Sequence, residues 1–259
     1  MAEDREVHFG KYTSLEVQKL VKEDPVIILP VGAFEQHGPH LTLQTDVAIG
    51  RAVAEAAAAR AANCFVLPPI WTGVSAHHLP FPGTITLRHS TLFTLVYDVV
   101  HSLLRHGFTK ILILNAHGGN IGILKAVVEA IGAELGVSPV LVTYWHLIAD
   151  RIGEWRQSPK GGISHACELE TSLQMYLNPD EVREDLREDN LVPGDEFFGP
   201  DMFAPNKVGI YVPYDRLSSK GHIGMPTMAT REKGKLIFDA IVDELVRVIA
   251  WMHKRGAAK

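Results

Sequence analysis

Cysteine is nearly absent: Cys64 and Cys167 are the only two in 259 residues. Both lie in apolar stretches of helical or strand-like character. That excludes a disulfide scaffold and a thiolate zinc site, and it predicts a reducing compartment. No apolar run approaches the ~20 residues needed to cross a bilayer. The opening Met1-Ala2-Glu3-Asp4-Arg5 is charged and has no signal-peptide core, so the expectation is a soluble, cytoplasmic protein. Basic charge is not in surplus either. Lys and Arg number 25 against 30 Asp and Glu, a net charge of −5, which argues against nucleic-acid and anionic-membrane partners. Internal repeats, low-complexity tracts and clear linkers are missing. The length suits one large α/β domain over residues 1–259, and a hydrophobic content of 46% supplies its core.

Strand-like and helix-like segments alternate through the first two thirds. Val26–Val31, Phe65–Leu67, Lys110–Leu114 and Pro139–Tyr144 are short, apolar and rich in β-branched residues, as buried strands are. Between them the pattern predicts helices over Val47–Ala62 with Asp46 as N-cap, over Ser90–His106 capped by Ser90 and closed by Gly107, and over Ile121–Leu135 entered through Asn120. Strands separated by helices imply parallel pairing through right-handed crossovers. A helix over Ala166–Leu177 and a long closing helix over Thr230–His253 follow. Between them, Leu191–Pro226 is rich in Pro, Gly and aromatics. A long loop inside a compact domain is usually functional or an oligomer contact.

Histidine is abundant, at 13 residues, and several fall where chemistry is concentrated. Directly behind the first strand stands Glu35-Gln36-His37-Gly38-Pro39-His40, with Asp46 close after. In open α/β sheets ligands bind at the carboxyl ends of strands, so Glu35, His37 and Asp46 read as part of a metal site. A polar loop with a capping Asp is the plainer alternative. The third strand ends in Asn115-Ala116-His117-Gly118-Gly119-Asn120, which puts His117 at a second carboxyl end. If the two strands are neighbours, Glu35, His37 and His117 converge, and Gly118-Gly119 permits close backbone approach. This turn lacks the lysine of a P-loop. In His165-Ala166-Cys167-Glu168-Leu169-Glu170, helical spacing turns Glu170 onto the apolar face with Leu173 and Leu177. A carboxylate turned inward is costly unless paired or bound to a cation. Glu168 points the other way, to solvent or to a hydrogen-bonding partner. Glu35, His37, Asp46, His117 and Glu170 would crowd one cation but suit two divalent ions about 3.5–4 Å apart. Mixed oxygen and nitrogen donors favour zinc, manganese or iron over calcium. The chemistry implied is hydrolysis.

These residues resemble the creatininase family of metal-dependent amidohydrolases over most of the chain. The resemblance runs through Pro30–Leu41 with Asp46, Gly73-Val74-Ser75-Ala76-His77-His78 with Phe81-Pro82-Gly83-Thr84, Asn115–Asn120, His165 with Glu170-Thr171-Ser172, and Gly224–Thr230. It implies a three-layer αβα sandwich on a mostly parallel sheet, two divalent metal ions per subunit and a ring-like homohexamer. Position by position, Asp46 matches the bridging ligand, Glu35 and His117 match one metal site, and His37 matches the other. Where creatininase carries a Glu ligand this chain has Gly119, so the missing ligand is assigned to Glu170. His165 matches the family's proton-transfer histidine. Ser75 and His78 are expected to contact substrate.

Departures from the family bear on the substrate. Ser164 stands where creatininase has a Glu, and Gly118 and Gly161 stand where it has aromatic contacts to creatinine. The resemblance therefore implies hydrolysis of a non-peptide C–N bond, in a cyclic amide or formamide of a small polar metabolite, with creatinine disfavoured. The family also includes a mycofactocin-system peptidase and hydrolases of oxidised cyclitols. The alternatives carried forward are C–C hydrolysis of an oxidised cyclitol or sugar, and a metal-binding oligomeric scaffold with little turnover.

Overall fold

The structure is a computed structural model and describes residues 5–204 and 206–255. Its centre is a four-stranded sheet of β1 (Val26–Val31), β2 (Cys64–Val66), β3 (Lys110–Asn115) and β4 (Val140–Thr143), in the order β2-β1-β3-β4 with every pairing parallel. The strands are apolar apart from Lys110, Asn115 and Thr143 at their ends, because both faces are covered. Val26, Ile28, Leu112 and Leu114 pack on α2 (Thr45–Arg60), α5 (Glu168–Leu177) and α6 (Arg231–Arg255). Ile27, Leu29, Val31, Ile111 and Ile113 pack on α3 (His89–Arg105) and α4 (Ile121–Leu135). Helix α1 (Ser14–Leu20) adds Val17 and Leu20 to that second side. The architecture is thus a three-layer αβα sandwich on a parallel sheet, as expected. A short antiparallel pair, β5 (Ile163–His165) with β6 (Ile223–Gly224), lies outside the main sheet.

Register is what positions the site. Val31 is the Cα partner of Asn115, so β1 and β3 end side by side and release their polar segments at the same edge. Glu35 and His37 leave one strand there, and His117 leaves the other.

Several helix starts differ from the sequence expectation. Helix α2 begins at Thr45, one residue before Asp46, and Gln44 holds the N-cap position without a side-chain bond. Asp46 is therefore inside the first turn, and its carboxylate faces two imidazoles instead of backbone amides. Helix α3 begins at His89 with Arg88 at the cap, which puts Ser90 inside the helix. Gly107, at φ +92°, closes it as anticipated. Asn120 enters α4 but caps nothing; its side chain accepts from the Val74 N–H and donates to the Gly32 carbonyl. Helix α5 starts at Glu168 because Ala166 takes a left-handed φ of +50°, which breaks the helical path.

Glu168 does not face solvent. It is 1% exposed, accepts from the Gln157 and Ser158 N–H groups, and pairs with Lys233 on α6. Every residue from Glu168 to Gln174 is buried. This helix therefore has no wet face in its first two turns, and the two-faced reading of it fails for that reason. Glu168 takes the hydrogen-bonded option.

Candidate metal centre

Three segments meet at the carboxyl edge of β1 and β3. The loop after β1 brings Glu35 and His37, the first turn of α2 brings Asp46, and the loop after β3 brings His117. From the side, β5 and the start of α5 bring His165 and Glu170. All six are buried. Two groups of three form within this cluster, Glu35–Asp46–His117 and His37–His165–Glu170, each with donor atoms within 4.8 Å of one another. Asp46 joins them: Oδ1 lies 3.1 Å from His37 Nε2, and Oδ2 lies 3.0 Å from His117 Nδ1.

The outer nitrogens of the rings decide what the inner ones offer. A backbone carbonyl can only accept, so a ring nitrogen bonded to one carries the proton. His37 Nδ1 is 3.1 Å from the Glu35 carbonyl, His117 Nε2 is 3.0 Å from the Val74 carbonyl, and His165 Nε2 is 2.7 Å from the Gln36 carbonyl. In the neutral rings the lone pairs of His37 Nε2, His117 Nδ1 and His165 Nδ1 then all point into the cluster. They face carboxylate oxygens, with His165 Nδ1 at 3.7 Å from Glu35 Oε1. Lone pair against carboxylate is repulsive unless a cation lies between. Both oxygens of Glu35, and Oδ2 of Asp46, are buried without a hydrogen-bond partner, and such orphans are costly. The donor set and its outer hydrogen bonds fit divalent metal ions, in the pattern seen for metal-ligating histidines.

Protonation follows the same logic. Burial opposes charge on His37, but the carboxylates of Asp46, Glu170 and Glu35 outweigh it and raise its pKa to about 9. Burial likewise opposes charge on His117, yet Glu35 and Asp46 push it well above the ordinary value. Burial works against the Asp46 carboxylate, and His37 and His117 hold it well below the usual range. Glu170 is raised to about 7, chiefly by burial. His165 is held well below its ordinary value by burial and by neighbouring His37. In the metal-free protein a proton on His37 thus takes the place of a cation. The raised pKa means that its contribution to stability is fully present below about pH 6.5 and is lost as pH rises through about 9. A metal must displace that proton, so apparent metal affinity is expected to rise with pH up to about 9, with proton release on binding. Calorimetry in two buffers of different protonation enthalpy would measure it; pH-independent affinity would contradict a ligand role for His37.

The cluster floors a cavity of about 420 Å³. His78 lines it, with Nε2 3.3 Å from Glu35 Oε1. Ser75 is set back from the cavity wall: it is fully buried, and its Oγ lies 3.4 Å from His117 Nε2. Glu35, Asp46, His117, His165 and Glu170 line the cavity, whereas His37 stands behind them. The Leu191–Pro226 region contributes Phe198, Met202, Ile210, Tyr211 and Tyr214 to this chain's own cavity. Asp201 anchors that region. Its buried carboxylate takes a bidentate contact from Arg156 and accepts from the Gly161 and Phe203 N–H groups.

Sequence reasoning did not select His77, whose ring stacks on His117 at 5.9 Å and 9°, or Tyr214, whose ring centroid is 4.1 Å from that of His78. His77 lies in the Gly73–His78 segment and is legible there in principle. Nothing in the sequence marks Tyr214 among its loop neighbours. Gly119 shows close approach, because a Cβ there would fall 2.1 Å from the Val74 carbonyl oxygen; at Gly118 the corresponding space is open.

A parallel αβα sandwich that gathers buried carboxylates and imidazoles at one sheet edge fits the class of metal-binding α/β proteins. Comparison with known proteins narrows it. The creatininase profile, described as creatinine amidohydrolase, matches residues 10–249. A mycofactocin precursor peptide peptidase of Mycobacterium tuberculosis is 32% identical over 255 residues, covering 94% of this chain and 92% of that one. Creatinine amidohydrolase of Pseudomonas putida is 30% identical over 263 residues, covering 95% and 96%. The solved structure of a manganese creatininase superposes with a TM-score of 0.82 at 29% identity, covering 95% of this chain and 98% of that one. The chain belongs to the creatininase family and is a hydrolase of that family. Among the described residues no helix is long and apolar enough to cross a membrane.

Proposed function

We propose that this protein is a two-metal hydrolase that cleaves an amide-type C–N bond in a small polar metabolite, a cyclic amide or a formamide. The observation that carries the reading is the set of orphaned carboxylate oxygens, both of Glu35 and Oδ2 of Asp46, against the inward ring nitrogens of His37, His117 and His165. Glu35, Asp46 and His117 would hold one cation, and His37, Asp46 and Glu170 the other. Bound there, zinc, manganese or iron lowers the pKa of water and polarises the substrate carbonyl. The protein's own part is proton traffic. His165 keeps Nε2–H on the Gln36 carbonyl, so Nδ1 is free to accept a proton from the attacking water. The water oxygen bonds to the carbonyl carbon, the C–N bond breaks, and His165 Nδ1 delivers the proton to the departing nitrogen. Burial keeps His165 neutral beforehand, as that order requires.

Gly118 and Gly161 leave no side chain for stacking a planar ring at those places, which disfavours creatinine. A second reading, cleavage of a peptide amide, draws on the apolar wall of Phe198, Ile210, Tyr211 and Val212 and on the mycobacterial relative. Elemental analysis tests the centre first. Wild type is expected to carry two divalent ions per chain, and Glu170→Ala close to one; one ion in both would make Glu170 structural. A panel of creatinine, a cyclic amide, a formamide, a short peptide and an oxidised cyclitol then assigns the bond. Turnover of the cyclitol alone would favour C–C hydrolysis, and metal without turnover would favour the scaffold reading. Light scattering is expected to report a homohexamer.

A further inference from the structure

We propose that His78 is a fixed hydrogen-bond donor to the carbonyl oxygen of the substrate, held in that tautomer by Gln36, and that it is not a metal ligand. This rests on the amide-hydrolase reading of the same site. By distance alone His78 looks like a ligand, since Glu35, His78 and His165 also offer donor atoms within 4.8 Å of one another. The hydrogen bonds around Gln36 say otherwise.

The Gln36 Oε1 accepts from the Gly38 N–H at 2.8 Å, and its Nε2 donates to the Gly221 carbonyl at 2.8 Å. The reverse amide orientation would set oxygen against oxygen and N–H against N–H, so the assignment is forced. One amide hydrogen remains, with two ring nitrogens near it. His165 Nε2, at 3.1 Å, already carries the proton it donates to the Gln36 carbonyl and cannot accept, so the hydrogen goes to His78 Nδ1 at 2.7 Å. That nitrogen must accept. Its proton is therefore on Nε2, which faces Glu35 Oε1 at 3.3 Å on the cavity wall. A protonated ring would turn Nδ1–H against the amide N–H and is excluded on the same geometry. Of the four imidazoles around the carboxylates, His37, His117 and His165 present lone pairs inward and His78 presents an N–H.

The ring cannot turn to trade these roles. It is 1% exposed and packs between His165, at 4.3 Å, and Tyr214, at 4.1 Å. A donor already oriented in a buried site needs no reorganisation when charge develops on a carbonyl oxygen. Gln36 is a positioning residue that acts only through the ring. Adding a Cβ at Gly221, which has φ +88°, would bring it within 2.0 Å of Gln36 Oε1, so the amide is also confined from that side.

Neutron diffraction of the metal-loaded protein exchanged into D2O reads the tautomer directly. Deuterium is expected on His78 Nε2 and not on Nδ1; the opposite result overturns the proposal. In Gln36→Glu the carboxylate accepts from Nδ1, and deuterium is expected on Nδ1 as well as on Nε2, which still faces Glu35. Acetohydroxamate serves as the binding probe, its carbonyl oxygen standing for that of the substrate. His78→Ala is expected to bind it about 10–100-fold more weakly by calorimetry, with metal content equal to wild type. Unchanged affinity in His78→Ala, or a lost metal ion, would refute the donor role. None of these readouts depends on turnover, so a silent substrate panel would count against the proposed reaction and not against the tautomer.

Discussion

Asp46→Ala is expected to abolish binding of both metal ions and to lower kcat/KM by about three to five powers of ten. In the proposed assignment Asp46 is the ligand shared by the two cations, with Oδ1 toward His37 and Oδ2 toward His117. Removing it strips a shared anion and leaves the two lone pairs without the charge that balances a cation between them. Cation polarisation of a carbonyl and activation of water are worth several kcal/mol of barrier, and each 1.36 kcal/mol is tenfold in rate. Elemental analysis with steady-state kinetics checks the result. Retention of two ions by the variant would sink the bridging assignment. Asp46→Asn, which keeps shape and one oxygen, is expected to retain less than the full complement and to turn over slowly. Its fold should match that of metal-free wild type by circular dichroism, which separates a lost centre from a lost structure.

Lys233→Met should destabilise the protein by about 3–5 kcal/mol, because it leaves the buried carboxylate of Glu168 without its counter-charge. In a chain of this size each kcal/mol moves Tm by roughly 2–4 °C, so calorimetry should show a fall of about 6–20 °C. The Lys233 ammonium contacts Glu168, the Gln157 side chain and the Met228 carbonyl. Glu168 in turn holds the Gln157 and Ser158 N–H groups of the loop that leads into β5 and His165. Burial opposes ionisation of Glu168, but Lys233, Ser158 and Gln157 outweigh it and hold its pKa below the ordinary 4.5. A depressed carboxyl stabilises above its unfolded pKa and loses that contribution as pH falls through the folded one. In Lys233→Met this acid limit should shift upward. The double variant Lys233→Met with Glu168→Leu should recover most of the loss, since a buried ion pair is often replaceable by apolar side chains at little cost. A single variant as stable as wild type would show that the backbone N–H groups alone suffice for Glu168.

The parts of the site that could be read from sequence are those tied to strand ends. Val26–Val31 and Lys110–Asn115 are apolar runs that stop abruptly at polar residues, so Glu35, His37 and His117 were placed at carboxyl edges correctly. Their convergence needed the register of Val31 on Asn115, a long-range fact that no local pattern encodes. The sequence expectation of Asp46 as the N-cap differs from the structure, where Gln44 holds that position. An Asp before an alanine-rich helix looks the same whether its carboxylate turns to amides or to imidazoles. The positive φ of Ala166, which delays α5, leaves no mark in composition. The orientations of the imidazoles were likewise invisible, because their partners are the carbonyls of Val74, Glu35 and Gln36. Main-chain acceptors carry no residue identity.

The glycine at 119 constrains how this site could have diverged. Installing glutamate there would drive its Cβ into the Val74 carbonyl, the group that receives the His117 ring proton. A metal ligand at 119 and the present seating of His117 are thus mutually exclusive. Glutamate at 119 would therefore require the Val74 carbonyl, the His117 ring or the backbone at 119 to shift. Single substitutions in either direction would pass through a form with a damaged centre.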